Sequence, residues 1–153
     1  MRDSALAFVW RLLRGKVQWY ILRLFHHTFM IGVAGVIRDA DGRVLLLQNR
    51  FWTRRGWGLP SGYANRGETL AQALAREVRE ETGYEIADTR LVDVVSGFQT
   101  RVEVFFSARI SGGEQIVDDK EIVEAAFFEP KKLPDEILPE HAAIIQHVLR
   151  SID

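Results

Sequence analysis

Apolar and polar positions along the chain change period several times, and each change marks an element. Phe29–Ile37 reads as a strand, Asp39-Ala40-Asp41-Gly42 as a turn, and Val44–Gln48 as the returning strand. A loop rich in basic and aromatic residues follows at Arg50–Gly56. From Thr69 to about Thr82 the spacing becomes helical, with Leu70, Leu74 and Val78 as one stripe beside Ala71 and Ala75. Leu91–Phe98 and Val102–Ile110 read as an antiparallel pair of strands, and an acidic loop, Ser111–Glu121, leads to a further strand at Val123–Phe128. Pro130, Pro134 and Pro139 punctuate a loop ahead of a last helix at Glu140–Arg150. Strands and helices interleave without regular βαβ spacing, which predicts an α/β fold with a mixed sheet flanked by helices.

The first 27 residues have a different texture. Leu6, Trp10, Leu13, Val17, Tyr20 and Leu24 recur at spacings of three and four, with Gly15 placed to kink or split the helix. This segment carries Arg2, Arg11, Arg14, Lys16 and Arg23 against the single acid Asp3, a net +4, which leaves −5 on residues 28–153. The chain therefore divides into a basic amphipathic extension, 1–27, and a domain, 28–153. The apolar stripe serves packing on the domain, pairing with a second copy, or contact with an anionic membrane surface, and the pattern leaves these three open. The run Ala5–Trp10 ends at Arg11, too short for a signal peptide, and no stretch approaches the roughly 18 apolar residues of a membrane span. A cytoplasmic protein is the expectation.

Composition adds two exclusions. With 153 residues and no cysteine, the chain suits one principal domain and has no disulfide, thiolate nucleophile or cysteine-ligated zinc. A net charge of −1 provides no overall attraction for a polyanion, so no stable nucleic-acid partner is expected.

The chemistry concentrates in one helix. Thr69 followed by Gln72 forms a capping box, and Gly83 stands where a left-handed residue closes a helix. Between them Glu77, Glu80 and Glu81 lie at i, i+3 and i+4, three carboxylates on one face. Their mutual repulsion is relieved by a divalent cation, and hard oxygen donors suit Mg²⁺ or Mn²⁺. An Arg76/Glu80 pair on a solvated helix face accounts for the same residues without a metal. The flanking residues favour the first account.

Gly62, Glu68, Arg76, Glu77, Val78, Glu80, Glu81 and Gly83 match a known pattern. It runs Gly, five residues, Glu, seven residues, Arg-Glu, an aliphatic, any residue, Glu-Glu, any residue, Gly. The segment resembles the box of the Nudix hydrolases (MutT-like), and the likeness extends over about Thr28 to Arg150. Tyr84 departs from the usual small aliphatic, and Ser61 from the glycine found before Gly62 in many members. The resemblance implies an α/β/α sandwich with a mixed sheet. It also implies metal ligation by the Ser61 carbonyl with Glu77, Glu80 and Glu81. Arg76 would orient the glutamates and Glu68 would brace the segment by pairing with Arg76. Glu121, in the later acidic loop, matches an additional ligand or base position in some relatives; Glu114, Asp118, Asp119 and Glu124 read as solvated charges.

Arg50, Arg54 and Arg55 with Trp52 and Trp57 are candidates for holding a nucleotide-like substrate, since guanidinium groups clamp phosphates and aromatic rings stack bases. A basic solvated loop with one or two core aromatics is the bland alternative. His26, His27, His141 and His147 show no ligand spacing and are read as structural or surface residues. The function expected by resemblance is Mg²⁺- or Mn²⁺-dependent hydrolysis of a diphosphate bond in a nucleoside diphosphate linked to a second group, or in a nucleoside triphosphate. The alternatives are a nucleotide-sensing module without turnover and a membrane-associated pyrophosphatase acting on a non-nucleotide diphosphate.

Overall fold

The computed structural model describes residues 10, 13, 15–52, 56–116 and 120–150. Helix α1 spans Lys16–Phe25. Strands β1 (Met30–Arg38), β2 (Val44–Asn49), β3 (Trp57–Gly58) and β4 (Ser61–Tyr63) follow, then α2 (Leu70–Thr82). The chain continues through β5 (Tyr84–Phe98), β6 (Arg101–Gly113), β7 (Ile122–Phe128) and α3 (Pro139–Arg150). All seven strands join one sheet, ordered β3-β2-β1-β6-β5, with β4 added to β1 and β7 to β2. The β1–β6 pair is parallel, from Met30 opposite Arg101 to Arg38 opposite Arg109. The other pairings between strands are antiparallel, so the sheet is mixed as the interleaved pattern predicts.

Two apolar layers cover the sheet, and strand alternation decides which residue enters which layer. Val33, Ile37, Leu45, Leu47, Val104 and Phe106 pack with Leu74 and Val78 of α2. Their neighbours Ala34, Val36, Val44, Leu46 and Phe105 pack on the opposite face with Ile144, Ile145 and Val148 of α3. The result is a helix–sheet–helix sandwich. Gly35 allows α2 to pack close on β1, because a Cβ there would meet Ile37 Cδ1 and Leu74 Cδ2 at 2.8 Å. The β1–β2 turn closes on Asp39, whose Oδ1 accepts from the amides of Asp41 at 3.0 Å and Arg43 at 2.8 Å.

Three expectations need correction or completion. Strand β5 starts at Tyr84, directly after the helix, rather than at Leu91. Its pairing with β6 shifts register between Glu85 and Ile86, between Ala87 and Arg90, and at two later points. Asp88 takes φ 56. These bulges break the period of two by which a strand is recognised in sequence. Strand β6 likewise continues beyond Ile110 to Gly113, opposite Tyr84. In α1, Gly15 takes φ 77 and the helix begins after it, the split expected at this glycine. No residue of α1 is buried, so the part of the stripe in α1 adds nothing to the domain core. Leu6 and most of the segment before Gly15 lie outside the described residues. Among the described residues no helix is long and apolar enough to cross a membrane.

Leu74 is fully buried between α2 and the sheet. Leu74→Ala should lower the unfolding free energy by about 2–5 kcal/mol, read from urea denaturation, through lost burial and the residual cavity.

Candidate active site on the glutamate helix

Local sequence fixes where α2 starts and stops. Thr69 Oγ1 accepts from the Gln72 amide at 3.2 Å while Gln72 Oε1 accepts from the Thr69 amide at 2.8 Å, the reciprocal cap expected. Gly83 closes the helix at φ 75, where its amide donates to the Arg79 carbonyl at 2.9 Å. With Leu74 and Val78 pinned against the sheet, the neighbouring helix face meets β4. Gly62 makes this approach possible: any Cβ there would overlap the Glu77 carboxylate.

Arg76 ties the acidic groups together. Its Nε donates to Glu68 Oε2 at 3.1 Å, and Nη2 donates to Glu68 Oε1 and to the Tyr63 carbonyl, both at 2.9 Å. Nη1 donates to Glu77 Oε1 at 2.8 Å and to Glu80 Oε2 at 3.1 Å. The two-pronged bond from Arg76, followed by the Asn65 amide, holds the Glu68 carboxyl below its usual range. Glu77 goes the other way: partial burial raises it although Arg76 opposes the shift. The Arg76 guanidinium itself is held still more firmly protonated, chiefly by Glu68.

Glu81 is the most strained charge in the site. It is 9% exposed and takes one amide hydrogen bond, from Ser61 at 3.3 Å. Burial first, then repulsion from Glu77, Glu121 and Glu80, pushes its carboxyl up to about 8, against the Ser61 hydrogen bond. Glu121 therefore stands within electrostatic reach of the helix carboxylates. The Arg50 amide donates to the Glu121 carbonyl at 2.7 Å, joining the basic loop to the turn before β7.

Beside Ser61 opens a cleft of about 390 Å³ lined by Phe51, Trp52, Arg101, Glu103 and His141 among others. Arg101 bonds Glu103 at 2.7 Å and lies 5.5 Å from the centre of the Tyr63 ring. His141 Nδ1 accepts from the Leu59 amide at 2.9 Å, and burial brings its pKa down to about 4. It is thus a neutral structural histidine, and the Trp52 ring meets it edge-on at 6.2 Å. Arg101, Glu103 and the cleft-facing role of His141 were not visible in the sequence. An Arg-x-Glu pair at the start of a strand was the available signal.

The candidate residues do not all converge. Ser61, Arg76, Glu77, Glu80, Glu81 and Glu68 form one group, Glu121 is coupled to it electrostatically through Glu81, and Trp52 lines the adjoining cleft. The Ser61 contact with Glu81 uses its amide, whereas the sequence points to its carbonyl. Trp57 departs from expectation: it is 8% exposed, edge-on to Phe128 at 4.7 Å, and belongs to the core beneath α3. An aromatic ring packed on both sides has no face to offer a base. Arg54, Arg55, Asp118 and Asp119 lie outside the described residues.

The NUDIX domain model matches residues 28–148, which include every strand, α2 and all but the last two residues of α3. The chain belongs to the NUDIX family. Among curated relatives it is 32% identical over 114 residues to the NAD-capped RNA hydrolase NudC of Citrobacter koseri, covering 74% of this chain and 43% of that protein. It is 31% identical over 134 residues to the ADP-ribose pyrophosphatase of Methanocaldococcus jannaschii, covering 84% of this chain and 77% of that one. The chain thus spans less than half of NudC. Among solved structures, the MutT NUDIX hydrolase from Burkholderia pseudomallei superposes with a TM-score of 0.70 at 25% identity, over 80% of this chain and 99% of that one.

The NUDIX fold implies a divalent cation, and the donors here fit one. They are carboxylate oxygens, which suit hard cations, and Glu81 is a buried carboxyl repelled by three others with one amide in support. Among the described residues the acidic groups are not gathered into a ready-made cage, since Arg76 holds Glu77 and Glu80. The native state favours protonated Glu81, so in chelator the protein should lose stability as pH rises from 4.5 to about 8. Glu81→Gln should overtake the native protein across that window in thermal melts, and Mg²⁺ should restore the native protein selectively. Parallel pH profiles for the two proteins would contradict this assignment.

Proposed function

We propose that this NUDIX chain hydrolyses the diphosphate bond of a nucleotide conjugate, a nucleoside diphosphate linked to a second group, or of a nucleoside triphosphate, with Mg²⁺ or Mn²⁺. The reading is carried by the Glu77, Glu80 and Glu81 cluster, braced by Arg76 and laid against Gly62 and Ser61. The relatives support it: NAD-capped RNA and ADP-ribose, the substrates in their names, both contain a diphosphate joining two groups.

In this proposal Glu77, Glu80, Glu81 and Glu121, with the Ser61 carbonyl, hold the cation. The bound ion supplies charge neutralisation of the diphosphate oxygens and acidifies or positions the attacking water. The water oxygen forms a bond to phosphorus, the bridging P–O bond breaks, and the water's proton passes to a carboxylate, Glu121 or one of the box glutamates. Arg76 keeps two of those carboxylates in place while Glu68 fixes Arg76 from the other side. Burial raises the proton affinity of Glu81, so its ionised form is one that a bound cation would stabilise.

Substrate recognition falls to the cleft beside Ser61. Trp52 offers a half-buried ring for stacking, and Arg101 presents a guanidinium already oriented by Glu103. Arg50, Arg54 and Arg55 complete the proposed phosphate-binding set.

Glu80 is the most exposed of the box carboxylates, so Glu80→Gln should leave the fold intact. Phosphate release in Mg²⁺ or Mn²⁺, assayed across nucleotides and nucleotide conjugates, should fall on the order of a hundredfold. Undiminished turnover of the best substrate would sink the proposal.

A further inference from the structure

Helix α1 presents apolar side chains that the domain does not cover. Trp19 is 53% exposed, Tyr20 62%, and Leu24 and Phe25 82% each, while Ile21 is half-buried. At 100° per residue Val17, Tyr20, Ile21 and Leu24 form one face, with Phe25 at its edge. Lys16 and Arg23 flank that face, and Trp19 stands beyond them on the far side, where the Arg23 guanidinium lies 5.4 Å from the centre of its ring. The helix contains no acidic residue. The apolar surface continues along the chain into Phe29, Met30 and Ile31, all exposed. These three residues line a shallow cavity of about 380 Å³ with Tyr63 and Leu70.

From this placement we infer that α1 and the start of β1 form a docking face for an anionic lipid membrane, with α1 lying in the interface plane. Charge selects this occupant. Residues 1–27 carry +4 and the rest of the chain −5, so an anionic surface attracts this segment and repels the remainder. A second copy would set one +4 segment against another, which opposes self-pairing. Exposed Trp and Tyr flanked by Arg and Lys match the chemistry of the headgroup region, where a ring with one polar atom sits between water and acyl chains.

Docking would also orient the active site. Met30 pairs with Arg101, which lines the cleft, and Gly32 pairs with Tyr63. The proposed membrane face and the cleft therefore share one end of the sheet. This inference is independent of the hydrolytic reading and survives its failure.

The test is co-sedimentation of the full chain with vesicles of phosphatidylcholine alone and of phosphatidylcholine with phosphatidylserine. Binding to the phosphatidylserine vesicles should be at least about tenfold stronger and should weaken with salt. Trp19→Ser/Leu24→Ser and Lys16→Glu/Arg23→Glu should each abolish it, with circular dichroism unchanged because none of the four side chains is buried. Equal binding to both vesicle types, or binding retained by both double variants, would overturn the inference. So would a dimer in light scattering that Trp19→Ser/Leu24→Ser converts to monomer, because the face would then belong to a second copy.

Discussion

Like charges crowded beside one cation govern this structure. Glu68, Glu77 and Glu80 share the guanidinium of Arg76, while Glu81 lies buried beside the same carboxylates and takes an amide hydrogen bond from Ser61. Arg76 offsets the repulsion among its three partners, while burial first and repulsion second raise the proton affinity of Glu81. That buried, repelled carboxyl is the physical reason to propose a divalent cation there, beside the close approach of α2 to β4 that lays Glu77 over Gly62. The apolar contacts of Leu74 and Val78 are thus a precondition of the chemistry as well as of the fold.

The site was legible in sequence to the extent that it is local. A helix fixes the relative directions of residues one turn apart, so the face shared by Glu77, Glu80 and Glu81 follows from spacing. Capping at Thr69 and closure at Gly83 follow from residue type. The pairing of Glu68 with Arg76 was an expectation of the resemblance, and the loop geometry satisfies it. Failures occurred where position depends on distant parts of the chain. Arg101 and Glu103 enter the cleft through the parallel pairing of β1 with β6, which no local pattern specifies. Trp57 sits among basic residues in sequence and beneath α3 in space, so its neighbours along the chain misdescribed its surroundings. Strand β5 was shortened in sequence because its bulges disturb the alternation that identifies strands.

Segments outside the family match behave differently from the domain. The domain packs its buried apolar residues into two layers, one on each face of the sheet. Helix α1 has the periodicity of a packed helix but no buried residue, which moves its explanation from folding to contact with another surface. Amphipathicity alone reports that a face will be covered, and the distribution of charge indicates by what.

Under the proposed function, the close approach of α2 to the Gly62 backbone is what shapes the cation site. Mn²⁺ titration of the Gly62→Ala variant by isothermal calorimetry measures this most directly, because the added methyl strikes the Glu77 carboxylate without altering any proposed ligand side chain. The account predicts Mn²⁺ affinity weakened about tenfold or more, with the secondary structure retained. Native affinity in a folded Gly62→Ala protein would contradict it.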